Sequence, residues 1–313
     1  MRVLLAGATG VIGRHVIPHL QRAGHTVTGL TRRPGAVQGT GANELVADLN
    51  DRAAFLEALR GREFDAVVHH ATAMAKNPRS YSQMRQTNRL RSEGTSTLLA
   101  AARTTGATRF VAASAFYGYG LDDLGARPLT EDVAFGEKPG GPIDPIYTAL
   151  VTNEQQARAF GGVALRLGLV YHGRGDIPSV PKHWGGELPF VHIDDVASAT
   201  AAALQAPAGS VYNIVDDVPV SWAALQTERA RAFEQSEPTA VPAWWLRRVA
   251  PFAGTIVTST SMRLSNARAR DELGWAPAFG SYVDGLASYA ADAARTAEVR
   301  TQYTTEAARE REA

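Results

Sequence analysis

Three glycines stand at intervals of three near the start of the chain, in Gly7-Ala8-Thr9-Gly10-Val11-Ile12-Gly13. A triplet of this kind says little by itself. Here it follows the apolar run Val3 to Ala6 and precedes Val11, Ile12, Val16, Ile17 and Leu20, which recur on one helical face. Between a strand and an amphipathic helix, each glycine has a task. The first takes a tight turn, the second lets a pyrophosphate approach the backbone, and the third lets the helix pack on the strand. The helix N-terminus adds free N–H groups and positive potential. Gly7, Thr9, Gly10, Val11, Ile12 and Gly13 are therefore expected to cradle a dinucleotide. The second strand ends in Leu30-Thr31-Arg32-Arg33. An NAD site usually carries a carboxylate there to hold the ribose 2′-hydroxyl. Two guanidinium groups instead suit a 2′-phosphate, so Thr31, Arg32 and Arg33 point to NADP(H). Asp48 and Leu49 follow the next strand, where an adenine amine would be met.

Aromatic residues collect at two further places. Phe116, Tyr117 and Tyr119 come just after a strand at 109–113, and His172 and Trp184 follow one at 163–167. In a doubly wound sheet both groups reach the crevice at the C-terminal strand ends, so both are expected to line a substrate pocket. Trp244 and Trp245 head a stretch through Leu246, Phe252, Val257 and Met262. It reads equally as a lid over a flat apolar ligand or as the core of a small lobe. His192 with Asp194 and Asp195 reads as a turn into a helix, and no metal site is expected. Arg166 reads as a buried ion-pair partner, and Asn213 and Arg268 as ties between lobe and body.

Across the whole chain, 313 residues with 45% hydrophobic content suit a folded α/β body with a lobe attached. Thirty-two Lys plus Arg against 31 Asp plus Glu leave a formal charge of +1. That excludes polyanion binding by bulk charge, no basic stripe stands out, and no nucleic-acid partner is expected. The absence of cysteine excludes disulfides, thiolate catalysis and Cys-based metal sites. The N-terminal apolar run is too short for a signal peptide, and no stretch approaches the ~18 apolar residues of a spanning helix. A cytoplasmic location without a membrane partner is expected. Oligomeric state stays open.

The elements that must position these residues alternate. Strands are expected at 3–6, 26–31, 44–47, 64–69, 109–113, 163–167, 190–193 and 211–215. Helices are expected at 11–23, 51–60, 81–105 with Gly106 as C-cap, 145–160, 194–204 and 222–234, with a long loop at 118–145. This is a Rossmann-like, doubly wound α/β sheet with a small, mostly helical C-terminal lobe. The expected division is a dinucleotide-binding body at 1–170 and a mixed region at 171–292 that completes it and forms the lobe at about 238–262. A polar tail follows at 293–313.

The motifs resemble those of the extended and atypical short-chain dehydrogenase/reductases, the NAD(P)-dependent epimerase/dehydratase group, over roughly residues 1–290. The glycine loop carries part of the resemblance. So do His70-Ala71-Thr72-Ala73, Asn88, Leu165 to Gly173, Phe190-Val191-His192-Ile193-Asp194-Asp195-Val196-Ala197, Tyr212-Asn213-Ile214 and Asn266 to Trp275. The resemblance implies that His70, Ala71, Ala73, Asn88 and Ala113 face the cofactor, although His70 reads equally as a satisfied edge histidine. It also implies chemistry by Ser/Thr, Tyr and Lys, with Tyr and Lys four residues apart on a helix. Tyr147-Thr148-Ala149-Leu150-Val151 is the match: the tyrosine is present and valine holds the lysine position. Valine can neither hold a ribose nor lower a phenol pKa. The hydroxyl falls at Ser114 if registered on the strand, and at Ala115 if registered on Tyr119-Gly120.

Three activities fit that partial set. The first is an NADPH-dependent ketoreductase with altered, substrate-assisted proton delivery, using Ser114 and Tyr147 at most. The second is a silent NADP(H)-binding regulator. The third is a nucleotide-sugar epimerase or dehydratase, weighed lowest because it needs a strong base and resembles NAD users. Within the family the chain resembles angucyclinone ketoreductases of simocyclinone-type antibiotic biosynthesis. The substrate that this implies is a polycyclic aromatic polyketide ketone.

Overall fold

The computed structural model describes residues 1–74, 78–176, 178–291 and 295. Seven parallel strands form its centre: β1 (Arg2–Ala6), β2 (Thr26–Thr31), β3 (Asn43–Val46), β4 (Ala66–His69), β5 (Arg109–Ala115), β6 (Val163–Leu167) and, after shorter pieces, β11 (Val211–Ile214). The intervening short strands are β7 (Leu169–Tyr171), β8 (Val180–Pro181), β9 (Glu187–Leu188) and β10 (Phe190–His192), and β12 (Val220–Ser221) and β13 (Ala240–Val241) come later. The sheet order is β11-β6-β5-β4-β1-β2-β3. Strands β4 and β6 are fully buried and β1 is buried after Arg2, which explains their unbroken apolar runs. Helices on both faces cover them: α1 (Val11–Arg22), α2 (Arg52–Ala58), α3 (Arg85–Arg89), α4 (Thr95–Thr105), α5 (Asp144–Ala159) and α6 (Ile193–Ala203). The remainder is smaller and largely helical, with α7 (Trp222–Ala232), α8 (Ala243–Val249), α9 (Pro251–Ser259) and α10 (Ala267–Leu273). Strand order reverses at β1, where Ala6 lies opposite Leu30 on one side and His69 on the other. The crevice beyond this switch point is where such sheets bind ligands.

The single helix expected at 81–105 is four pieces. A 3-10 turn spans Tyr81–Met84, α3 follows, a π turn spans Leu90–Gly94, and α4 completes the run. Ser92 Oγ and Thr95 Oγ1 bond back to the carbonyls of Asn88 and Arg91, at 3.0 and 2.6 Å, a habit of hydroxyls that bends helices. Gly106 closes α4 at φ +79°, as expected.

On α8, Trp244 is 69% and Trp245 39% exposed. Neither forms the lobe core. Leu246, Phe252, Ile256, Val257 and Met262 do, packed in one cluster with Phe116, Tyr117 and Tyr147. Among the described residues no helix is long and apolar enough to cross a membrane. Apart from Arg295, the polar tail at 293–313 lies outside the described residues.

Candidate active site

The glycine loop is pressed against the end of β4. Gly7 has φ +94°, and a Cβ there would lie 2.6 Å from the His70 carbonyl carbon. A Cβ on Gly13 would lie 2.1 Å from the Gly7 oxygen, which accepts from Gly10 N at 3.0 Å. Helix α1 starts at Gly10 with no side-chain cap and no acidic residue in its first turn. Its free N–H groups thus suit an anion, and the loop fits a dinucleotide pyrophosphate. Thr9 and Gly10 are exposed, Ile12 is half-buried, and Val11 is 52% exposed at the mouth of the loop. The inward face of α1 is Gly13, Val16, Ile17 and Leu20, without Val11.

At the end of β2 the structure supplies the carboxylate that local sequence lacks. Glu44, from the neighbouring β3, accepts from Gly35 N at 2.8 Å, Ala36 N at 2.9 Å and Thr31 Oγ1 at 3.2 Å. These bonds, Gly35 first, hold its pKa below the ordinary value. Arg32 and Arg33 are exposed on the loop that Glu44 orders. Asp48 accepts from Asn50 N and Nδ2, which, with the Arg32 charge, keep it ionised. Leu49 is buried against Gly94.

Past β4, Ala71 N donates to His69 Nδ1, so Nε2 carries the proton and donates to the Leu90 carbonyl at 3.1 Å. Thr200 donates to the Val196 carbonyl and so accepts from His70 Nε2, at 2.9 Å. His70 therefore turns its ring to α6 and offers only its backbone to Gly7. Burial holds His69 and His70 neutral, with pKa values down to about 4 and about 3. Ala73 N donates to Thr87 Oγ1 at 3.2 Å. Among the described residues Asn88 Oδ1 is buried without a partner, as are Nε and Nη1 of Arg91, one turn on. Arg91 was missed from sequence. The signal was there: Thr87, Arg91, Thr95 and Leu98 keep helical spacing, with a guanidinium inside an otherwise uncharged stripe.

No hydrogen bond joins the candidate catalytic pair Ser114 and Tyr147 among the described residues. Ser114 donates to Glu154 Oε1 at 2.6 Å, and Glu154 is paired with Arg166 at 2.9 Å. Arg166 also donates to the Tyr119 hydroxyl at 2.8 Å, which passes its own proton toward Asn213 Oδ1 at 2.8 Å. Ser114 and Tyr119 are thus parts of a buried structural network, and Arg166 is the ion-pair partner expected. Asn213 Nδ2 donates to the Leu129 and Ser265 carbonyls, and Arg268 pairs with Asp132, as ties between lobe and body. Successive strand residues face opposite sides, so Ala115 packs in the Tyr147 cluster while Ser114 faces away. Ala113, on the Ala115 side of the alternation, gives its carbonyl to Asn153. Tyr147 is buried, its hydroxyl makes no hydrogen bond among the described residues, and burial raises its pKa well above the phenol range, helped by Asp122 and Tyr81. Val151 fills the next turn and packs where a Cβ on Gly136 would meet it at 2.1 Å.

Around Tyr147 gather Phe116, Tyr117 and Phe252, with Tyr117 edge-on to Phe252 at 5.8 Å and Tyr81 edge-on to it at 5.4 Å. Of the expected pocket residues, Phe116 and Tyr117 belong here. His172 is exposed beside Gly173, and Trp184 lies over Gly186 with its Nε1 unpartnered among the described residues. Trp244 and Trp245 sit outside this cluster.

Residues 3–162, about half the chain, match the NAD dependent epimerase/dehydratase family. The chain belongs to that family. It is an enzyme fold of the NAD(P)-dependent oxidoreductase and epimerase type acting on small molecules. A Streptomyces protein, "3-diazoavenalumate denitrifying reductase", is 33% identical over 309 residues, 91% of this chain and 99% of that one. A Stigmatella aurantiaca protein, "4-hydroxy-2-methyl-3-oxo-4-farnesyl-3,4-dihydroquinoline-1-oxide ketoreductase", is 26% identical over 247 residues, 72% of each chain. The fold also matches UDP-glucose 4-epimerase from Bifidobacterium longum in complex with NAD+ and UDP, at TM-score 0.75, 19% identity, 93% of this chain and 97% of that one. The Thermus thermophilus UDP-glucose 4-epimerase complex with NAD matches at 0.74, 22%, 93% and 98%.

These complexes overturn the NADP(H) expectation, since the dinucleotide they hold is NAD. The physical reason lies in Glu44. A carboxylate from the adjacent strand accepts from Thr31 Oγ1, so a negative charge stands at the end of β2 that a reading of β2 alone cannot see. The angucyclinone assignment finds no counterpart in these four proteins. The epimerases belong instead to the activity weighed lowest from sequence.

Proposed function

We propose that the chain is an NAD(H)-dependent reductase of an aromatic small molecule, a polycyclic ketone of the angucyclinone type being the substrate class its motifs suggest. The observation that carries this reading is that the Tyr147 hydroxyl, buried in one cluster with Ala115 and several aromatic rings, makes no hydrogen bond among the described residues, with valine rather than lysine one helical turn on. The glycine loop, the α1 N-terminus and Glu44 would hold the dinucleotide, which when bound supplies hydride. Ala71, Ala73, Asn88 and Ala113 would border the same crevice. The walls would come from Phe116, Tyr117 and Phe252, which offer ring faces and edges rather than hydrogen bonds. Among the described residues no cation or hydroxyl lowers the pKa of Tyr147, so it holds its proton at Oη and is a poor base. That favours reduction, in which the proton on the new alcohol can come from a substrate hydroxyl or from water. It disfavours opening a reaction by deprotonating a sugar alcohol. The two relatives named as a denitrifying reductase of 3-diazoavenalumate and as a ketoreductase of a dihydroquinoline oxide support the direction of reduction.

A second reading, nucleotide-sugar epimerase, is favoured by the fold match to the UDP-glucose 4-epimerases. One assay separates the two. Purified protein is given NADH with a panel of polycyclic aromatic ketones, and separately NAD with UDP-glucose. NADH consumption with at least one ketone, and no UDP-galactose, is expected. UDP-galactose formation without any ketone reduction would replace the first reading by the second.

A further inference from the structure

Arg91 is 4% exposed, yet its guanidinium has no ion pair and no hydrogen bond among the described residues, and Nε and Nη1 are fully buried. Its guanidinium carbon lies 5.5 Å from the centre of the Tyr117 ring, and its charge acts on the neutral His69. The Tyr117 hydroxyl is itself buried and has no hydrogen-bond partner among the described residues. A desolvated cation over a ring whose own hydroxyl is desolvated is costly unless something compensates both groups. The chain solves this elsewhere: the equally buried Arg166 is matched by Glu154.

The location indicates what the missing partner is. Arg91 lies in the π turn Leu90–Gly94, a distortion that recurs at functional sites. Tyr117 continues into the aromatic wall of Phe252 and Tyr81. We propose that Arg91 and Tyr117 form an oxyanion subsite that binds a carboxylate borne by the aromatic substrate. Nε and Nη1 each share a fork with Nη2, so either edge matches the two oxygens of a carboxylate, and the Tyr117 hydroxyl is a third donor. The inference rests on the reductase reading and narrows its substrate to an aromatic acid.

The test uses 2-naphthoate and its neutral twin 2-naphthamide as probes, titrated calorimetrically into NAD-loaded protein. Wild type is expected to bind the naphthoate at least about tenfold more tightly. Arg91→Met should abolish that preference, Arg91→Lys should restore part of it, and Tyr117→Phe should lower naphthoate affinity severalfold. NAD affinity of Arg91→Met should stay within about twofold, and its ligand-free melting temperature should not fall, because an unpaired buried charge has been removed. Equal affinities in wild type, or a preference that survives Arg91→Met, would overturn the proposal. A loss of NAD affinity in Arg91→Met would overturn it too, by assigning the guanidinium to the dinucleotide. If Arg91→Met fails to fold, the wild-type pair of titrations still decides. Loss of the reductase reading shows separately, as absence of NADH consumption with neutral ketones.

Discussion

The 2.6 Å bond from Ser114 to Glu154 decides what that hydroxyl does, because a serine that donates to a buried carboxylate is not free to donate to a substrate. Ser114→Ala should therefore lower unfolding free energy by about 1–3 kcal/mol, read by urea titration. It should change turnover by less than about threefold, whereas a proton-donating serine would cost about a hundredfold or more. Tyr147 behaves differently. Its pKa is raised by burial, so it stays protonated across the working range. The pH–rate profile should show no phenol limb between about pH 6 and about pH 9, and an ionisation there that vanishes in Tyr147→Phe would contradict this. Tyr147 and Val151 were legible in sequence, because helical spacing carries their relation. Whether Ser114 or Ala115 faces Tyr147 was not, since a one-residue ambiguity in strand register exchanges the two faces of the sheet. Glu44 was illegible for a related reason: it reaches the end of β2 across a strand pair, not along the chain.

At the scale of elements, the strand–loop–helix unit β1–α1 is the most legible part, because glycine spacing and apolar periodicity coincide. Its geometry makes a sharp prediction. A Cβ at Gly13 would overlap the Gly7 oxygen, so Gly13→Ala should reduce NAD affinity more than tenfold and lower the melting temperature. Fluorescence titration and a thermal melt read the two effects, and unaltered affinity would remove the loop from the cofactor site. Glu44→Gln removes the charge that gathers Gly35 N and Ala36 N. It should weaken NAD binding severalfold while leaving the sheet intact by far-UV circular dichroism. The 81–105 segment was legible as helical but not as broken. A π turn shifts backbone hydrogen bonds by one residue, and side-chain periodicity over so short a stretch hardly records that. The outward turn of Trp244 and Trp245 was hidden likewise, because a seven-residue helix leaves its inward face unspecified until α9 packs on it.

For the whole molecule, buried titratable groups set a stability optimum. His69 and His192 have pKa values near 4 and His70 near 3, all lowered by burial, and each binds a proton only when unfolded between there and about pH 6.5. Stability therefore falls as pH drops from about 6.5 to about 4. Asp216 has the opposite sign, because burial raises its pKa to about 8. It binds a proton only when folded between about pH 4 and about pH 8, so stability declines as pH rises through that window, one proton against three below about pH 6.5. A maximum near about pH 6.5 is expected from denaturation series, and Asp216→Asn should flatten the alkaline side. The sheet order and the switch point beside Gly7 and His70 serve any member of this family, so the reaction must be settled by the isolated phenol and the aromatic wall. The deciding measurement is deuterium transfer from 4-deuterated NADH of the reactive face to a polycyclic aromatic ketone, followed by product mass. One deuterium on carbon in the product alcohol, retained when Tyr147 is replaced by Phe, is the expected result. No deuterium in any alcohol product, or its complete loss in Tyr147→Phe, would contradict hydride transfer with the proton delivered by substrate or water.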